Sequence, residues 1–355
     1  MMIKTKLFSY RLLILILLCT TVCALFSSCT QIPYDYELSE YLVFPENWQE
    51  TQITENEIKM KLASEILRVR ENSVIETEIT NRAAASGDKV NIDVVCYRSS
   101  DYGKANAEPV RELSISDRTL IIGSRKYPTE FENAIIGHKP TEIFAVRMTL
   151  PGDFGLTDLA YQTVVYEITL NSITELQLPL YNDAFVSSVS SCSTVAEYEE
   201  MMRKQVREEL IWDKILASCE IKGYPPKEYS VFEHNYIKYY TGLAEDAGLT
   251  LEEYIEQQFN IELSAFQNQA AEYARLAVKE EMLMYAFVRS YGLELSDTEY
   301  TDGAGMYVEM YGMRSLAALE RRFGTAFVRK SVQLDKVLEF IGNSVAVSDG
   351  TNSEE

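Results

Sequence analysis

"TLIIGSRKYPTEFENAIIGHKPTE", Thr119 to Glu142, is the stretch on which the fold turns. An apolar run enters a turn at Gly123, and Pro128 precedes a short Phe-led segment, Phe131 to Ile136, closed by a Gly-His-Lys-Pro turn. Glycine and proline mark both boundaries, so the segment reads as one helical turn with an aromatic on its inner face. Around it the hydrophobic period is two. Val90, Ile92, Val94 and Cys96 alternate in "GDKVNIDVVCY", and "RELSISDRTLIIG" continues in the same style. In "EIFAVRMTLP", Phe144, Val146, Met148 and Leu150 oppose Ile143, Ala145, Arg147 and Thr149; in "TVVYEITLNSI", Val164, Tyr166, Ile168 and Leu170 share a face. Alternation of this kind predicts four or five strands. One short helix among them predicts a curved antiparallel sheet wrapped around that helix, with Phe131 as the floor of the hollow.

Composition bounds the rest. The chain has 355 residues, 46% of them apolar, enough for two or three modest domains. Its net charge of −21 repels phosphate backbones, which argues against nucleic acid as a partner. The two histidines, His138 and His234, lie far apart, and the six cysteines show no C-x-x-C spacing. Neither zinc sites nor His-dependent triads are supported, and no metal or cofactor is expected.

The first residues, "MMIKTKLFSYRLLILILLCTTVCALFSSCTQ", carry Lys4, Lys6 and Arg11 ahead of a mostly apolar run from Leu12 to Phe26. Short and interrupted by threonine, it reads as a secretory signal over residues 1–29. Its end, "LFSSC", resembles a bacterial lipobox, with Phe26 where an aliphatic residue is usual; the resemblance implies acylation of Cys29 and a lipid anchor on the membrane. An uncleaved anchor or an ordinary signal peptide is the alternative, and each of these places the chain in the cell envelope, outside the cytoplasm. Cys96, Cys192 and Cys219 cannot all pair, so no disulfide framework is expected. Residues 30–50 read as a polar tether, and residues 51–84 as a linker helix packing on a helical domain. In it Ile58, Leu62, Ile66 and Val69 form a stripe, and Thr54 with Glu57 suits a capping box.

The segment Gly87–Ile173 resembles the FKBP-type peptidyl-prolyl isomerase domain in the form found in trigger factor. The residues that carry the resemblance are "GDKVNID" (87–93), "FENAIIGHKPTE" (131–142), "LPGDF" (150–154) and "VVYEITLNSI" (164–173), followed by "LQLPLYNDAFV" with Pro179 and Asp183. The implied domain spans residues 85–176. Its chemistry would be rotation about X–Pro bonds, whose amide resonance sets a barrier of about 18–20 kcal/mol. The twisted transition state is less polar than the planar amide, so a dry aromatic pocket favours it and no proton need move. The resemblance places Phe131 at the floor, Phe154 at the rim without the usual hydroxyl, Tyr166 on the wall, and Val94 where an aromatic is usual. Tyr127 and Pro128 complete the candidate prolyl pocket, although Pro128 stands where the family offers a backbone N–H and has none to offer. The loop "RSSDYGKANAEPVRELS" lacks the family's Gly-rich turn; Val110 lies nearest its aromatic, and Tyr102 is a candidate substitute. These departures point towards a weak isomerase, or a domain that only grips peptide. Plain core packing is the alternative for Phe131, Phe154 and Tyr166.

From Ser190 the period becomes helical. Thr194 and Glu197 suit a capping box, ahead of a stripe of Val195, Tyr198, Met202, Val206 and Leu210. Further helices are read in "YSVFEHNYIKYYTGLAEDAG", in "TLEEYIEQQF" with Thr250 and Glu253, in "SAFQNQAAEYARLAVKEEMLMYAFVRSYG" up to Gly292, from "SDTEY", and in "FVRKSVQLDKVLEFIGNSV". Residues 177–347 are therefore an all-α domain, and 348–355 a disordered tail. "VKEEMLMYAFVRSYGLELSDTEY" (278–300) and "LDKVLEF" (334–340) resemble the C-terminal chaperone domain of trigger factor, a trigger-factor/SurA-like helical cradle. The family's ribosome-docking domain has no counterpart, the signal and tether standing in its place. The implied partners are unfolded or nascent secreted polypeptides and proline-containing peptides, with no ribosome. Tyr224, Tyr229, Tyr236, Tyr239, Tyr240 and Tyr254, with Met201, Met202, Met282 and Met284, are either a client-binding surface or helix–helix core. The fold class is α+β, and three functions follow: a foldase with an isomerase domain, a non-catalytic holdase, and a lipoprotein with one dedicated partner.

Overall fold

A computed structural model of the chain describes residues 37–349. The signal region, Cys29, the first part of the expected tether and residues 350–355 of the expected tail lie outside the described residues. In chain order the strands are β1 (Leu42–Val43), β2 (Ile53–Thr54), β3 (Ile75–Ile79), β4 (Lys89–Arg98), β5 (Ile115–Ile121), β6 (Ile143–Thr149), β7 (Thr163–Gln177), β8 (Glu220–Ile221) and β9 (Val347–Ser348). The α-helices are α1 (Glu55–Glu71), α2 (Thr129–Ile135), α3 (Asp183–Val189), α4 (Val195–Ser218), α5 (Pro226–Asp246), α6 (Leu251–Phe259), α7 (Leu263–Tyr291), α8 (Asp297–Met310), α9 (Leu316–Phe323) and α10 (Thr325–Ser344). They fall into two compact units, residues 67–181 and residues 37–66 with 182–349.

The 67–181 unit is built on β7. β4 pairs along one side of it, β6 and β3 share the other, and β5 extends the sheet beyond β4, all antiparallel. The alternation seen in the sequence is what the sheet uses: Val90, Ile92, Val94 and Cys96 are buried on one face, with Ile168 and Leu170 beside them. Register shifts opposite Asn91 to Val94 mark one extra residue in β7 and one in β5, bulges that add local twist. Helix α2 lays Phe131 and Ile135 on that face. The expected antiparallel sheet around one short helix is present, with Phe131 inside.

One strand was not foreseen. Ile75–Ile79 pairs with the far end of β7, although the sequence puts residues 51–84 in a linker helix and begins the domain at 85. Helix α1 instead stops at Glu71. β3 is exposed at four of its five residues, so it has no buried face to write a period into the sequence. Its pairing is set by the length of β7, and Lys89 reaches Glu76 at 2.9 Å.

The other unit corrects the tether. Residues 37–50 are packed: Leu38, Leu42 and Trp48 are buried in the helical core with Trp212, Phe287 and Ile341, and β1 pairs with β8. The end of the chain is also ordered further than expected, since β9 pairs in parallel with β2 through Ile53 and Val347, and Ser348 donates to the Ile53 carbonyl. Local signals were more faithful. Thr194–Glu197 and Thr250–Glu253 form reciprocal capping boxes, as does Ser296–Glu299, and Glu57 bonds both the backbone N–H and the hydroxyl of Thr54. Gly292 ends α7 with φ +64°, a left-handed conformation that suits glycine. Helices α3 and α9 were not read from the sequence; at seven and eight residues they are too short to show a period. In the tyrosine-rich stretch, Tyr236 lies 4.9 Å from Tyr273 and 5.5 Å from Phe266, and Tyr239 is buried, so these rings join α5 to α7 as core.

Candidate functional site

The candidate residues come together in part. In the 67–181 unit, β4 and β7 pair Cys96 with Tyr166 and Val94 with Ile168, which places Val94 and Tyr166 on the buried face. Helix α2 sets Phe131 against them. The Phe131 ring centroid lies 5.6 Å from that of Tyr166, edge to face, and 5.7 Å from that of Tyr127. Val94, Tyr127, Phe131 and Tyr166 therefore form one aromatic cup. Phe131 is 7% exposed, with Tyr127 and Tyr166 half-buried above it. Phe154 belongs to the adjoining cluster of Cys96, Leu150, Leu159 and Val164, and Tyr166 packs against both clusters.

Tyr102 does not fill the gap in the wall. Its hydroxyl donates to Glu167, its ring lies 5.8 Å from that of Tyr97, and Arg147 sits 5.9 Å above it. Tyr97, Arg147 and Glu167 alternate with Cys96, Val146 and Tyr166 and so occupy the opposite face of the sheet. Val110 packs beside Phe154 instead, and its N–H donates to the Cys96 carbonyl at 2.7 Å.

A residue that sequence reading passed over organises the rim. Glu132 follows Phe131 in α2 and is 1% exposed. One carboxylate oxygen accepts from the N–H groups of Gly123 (2.8 Å) and Arg125 (3.2 Å). The other accepts from the Tyr127 N–H and the Ser124 hydroxyl, each at 3.1 Å. Burial pushes this carboxyl upward, but the donors from Tyr127, Arg125, Gly123 and Ser124 outweigh it and hold the group below the usual range. The turn they fold needs φ +91° at Gly123 and +61° at Arg125, and it presents Tyr127 to Phe131. Pro128 caps α2, and its carbonyl accepts from the Phe131 and Glu132 N–H groups. The available signal was an acid inside a short apolar helix, "FENAII".

Burial keeps the two shifted groups at this face, Tyr166 and Cys96, protonated near neutrality. Burial, with the charge of Cys96 as a lesser cause, pushes the Tyr166 hydroxyl up to about 12, and burial pushes the Cys96 thiol to about 11. What the cup offers is a largely apolar, half-covered aromatic surface with a neutral phenol at one wall. Among the described residues, no group of three or more His, Cys, Asp or Glu is placed to hold a metal ion.

No family model matches the chain. It is similar to the protein named trigger factor in Carboxydothermus hydrogenoformans, 27% identical over 297 residues, covering 81% of this chain and 66% of that protein. The trigger factor of Acetivibrio thermocellus is 24% identical over 298 residues, covering 81% of this chain and 67% of its own. The chain thus spans about two thirds of the length of these curated relatives. A solved structure of the trigger factor chaperone covers 86% of this chain and 74% of its own, with 14% identity and a TM-score of 0.34. In sequence the chain is trigger-factor-like.

Proposed function

We propose that this protein is a cell-envelope foldase: it binds unfolded secreted polypeptides through its helical unit, and its 67–181 unit is an FKBP-type domain that takes prolyl segments into the aromatic cup. The observation that carries this reading is the packing of Tyr127 and Tyr166 on Phe131 over Val94, on a short helix laid against an antiparallel sheet. The likeness to trigger factors over 81% of the chain supports the chaperone part. In such a cup the planar amide would lose water and gain apolar contact as it twists, which favours the transition state over the ground state. A non-catalytic holdase is the second reading. The near-complete cover over Phe131 favours it, as does the missing N–H of Pro128.

Isomerisation of a short X–Pro peptide, followed with the wild-type chain and with Phe131→Ala and Phe154→Ala, separates the two. The foldase reading expects acceleration, reduced about tenfold or more in Phe131→Ala. Absence of acceleration, with aggregation of an unfolded protein still suppressed, gives the holdase. The proposed location rests on Lys4, Lys6, Arg11 and the apolar run before Cys29. Lipid anchorage would keep the protein away from ribosomes and close to chains emerging from the membrane. Metabolic labelling with a fatty acid is expected to mark the wild type and to spare Cys29→Ser; equal label in both would refute the anchor.

A further inference from the structure

Where α10 passes from one hydrophobic cluster of the helical unit to the next, its acids outnumber the cations that meet them. The first half of α10 gives Val328 and Val332 to the cluster built with Tyr300 and Tyr307 of α8 and Phe323 of α9; the second half gives Val337 and Ile341 to the core shared with α4 and α7. Asp335 lies at the crossing and Glu339 one turn later, a like-charge pair at the spacing that disfavours a helix. Glu208 of α4 joins them. Its side chain is 13% exposed and lies against Gly342, where a Cβ would come within 2.7 Å of the Glu208 Cγ. Lys204 reaches Glu339 at 2.9 Å but Glu208 only at 3.8 Å, and is itself 58% exposed. Arg207 donates to the Val345 carbonyl at 2.9 Å. From α8, the Tyr307 hydroxyl donates to Asp335 at 2.6 Å. Neighbouring cations are engaged elsewhere: Arg203 with Glu55 of α1, Lys330 with Glu281 of α7, and Lys336 with Glu299 of α8.

We propose that Glu208 and Asp335 form an acid-tightened joint: while charged they loosen the contact of α4 with α10, and on taking up protons they hold α10, with α8 and α9 packed on it, to the helical core. The proton equilibria agree with this geometry. Burial pushes Glu208 up to about 7; Lys204 and Arg207 oppose it, and the charges of Glu339 and Asp335 reinforce it. Burial pushes Asp335 up to about 6, against the Tyr307 hydrogen bond and with the charge of Glu339. Both values lie above the ordinary 4.5 and 3.8, so the folded chain binds these protons more tightly than the unfolded chain. The stabilisation is therefore fully present below the ordinary values, is lost as pH rises through about 6 and about 7, and is gone by pH 8.

The test uses the full chain in urea titrations at pH 8 and pH 5.5. Both tryptophans, Trp48 and Trp212, lie in the helical core, so fluorescence reads this unit. Glu208→Gln, which fixes the uncharged shape, is expected to raise the urea midpoint over wild type by roughly 1 M at pH 8, and by half of that or less at pH 5.5. Asp335→Asn should also gain at pH 8 and keep more of its gain at pH 5.5, since its group titrates lower. Taking each variant against wild type at one pH cancels the histidines. Hydrogen exchange at pH 8 should slow about tenfold in α8–α10 of Glu208→Gln and stay as in wild type in the 67–181 unit. A gap that is equal at the two pH values, or a Glu208→Gln chain less stable than wild type at pH 8, overturns the proposal. A raised midpoint with exchange in α8–α10 unchanged overturns it as well, because the acids then hold no joint.

Discussion

Trp48→Ala is expected to lower the unfolding free energy by about 4 kcal/mol, in the range for a large buried aromatic reduced to alanine. Trp48 is 2% exposed. Its ring centroid lies 5.1 Å from that of Phe287 and 5.7 Å from those of Tyr291 and Phe340, so three helical-unit rings lose a partner at once. Its indole N–H donates to the Tyr291 hydroxyl at 2.7 Å. Tyr291 is 39% exposed and can turn that hydroxyl to water, so the lost hydrogen bond is the smaller part and the cavity the larger. Trp48→Phe keeps an aromatic in the gap and should cost less than half as much. The measurement is a urea titration read by fluorescence. With two tryptophans in the chain, the variant leaves Trp212, buried in the same core, as the reporter. A loss below about 1 kcal/mol would return residues 37–50 to the status of a detachable spacer.

That residues 37–50 read as a spacer shows where local pattern ends. Leu38, Leu42 and Trp48 are too sparse for any period; they are buried because helices more than 150 residues later in the chain present Trp212, Phe287 and Ile341 to them. β3 was hidden in the same way, its partner lying about a hundred residues on in β7. The legible parts were those whose cause is local. Val90, Ile92, Val94 and Cys96 alternate because one face of β4 is buried, and Thr194 precedes Glu197 by three because a helix start needs both oxygens. The cup stood between these cases. Phe131 and Tyr166 could be placed on inner faces by alternation and by family resemblance, and both point inward. Tyr102 could not, because a loop residue carries no parity, and it lies on the opposite face. Glu132 was missed because an acid in a short helix usually faces solvent. Here the turn five to nine residues before it curls back on it, and the composition of "FENAII" alone does not hold that fact.

Glu132→Ala should cost about 3 kcal/mol of stability at neutral pH, chiefly by stranding donors that fold the turn before α2. Three amides and one hydroxyl lose their acceptor together. The loss is less than three full desolvation penalties, because Gly123 and Arg125 are exposed and their amides can recover water when the turn opens. Opening the turn also withdraws Tyr127 from Phe131, so peptide binding at the cup should fall with stability. Glu132→Gln keeps one acceptor oxygen but turns an N–H₂ towards other donors, and should cost about 1–2 kcal/mol. The pH dependence has a fixed sign. Folding lowers the Glu132 pKa below its ordinary 4.5, so the unfolded chain binds the proton more tightly. The stabilisation is therefore complete above pH 4.5 and is lost as pH falls through the lower folded value. In urea titrations from pH 7 to pH 3, the gap between wild type and Glu132→Ala should stay constant down to about pH 5 and then narrow. A gap that widens in acid, or one below about 1 kcal/mol throughout, would mean that the carboxylate does not hold the turn.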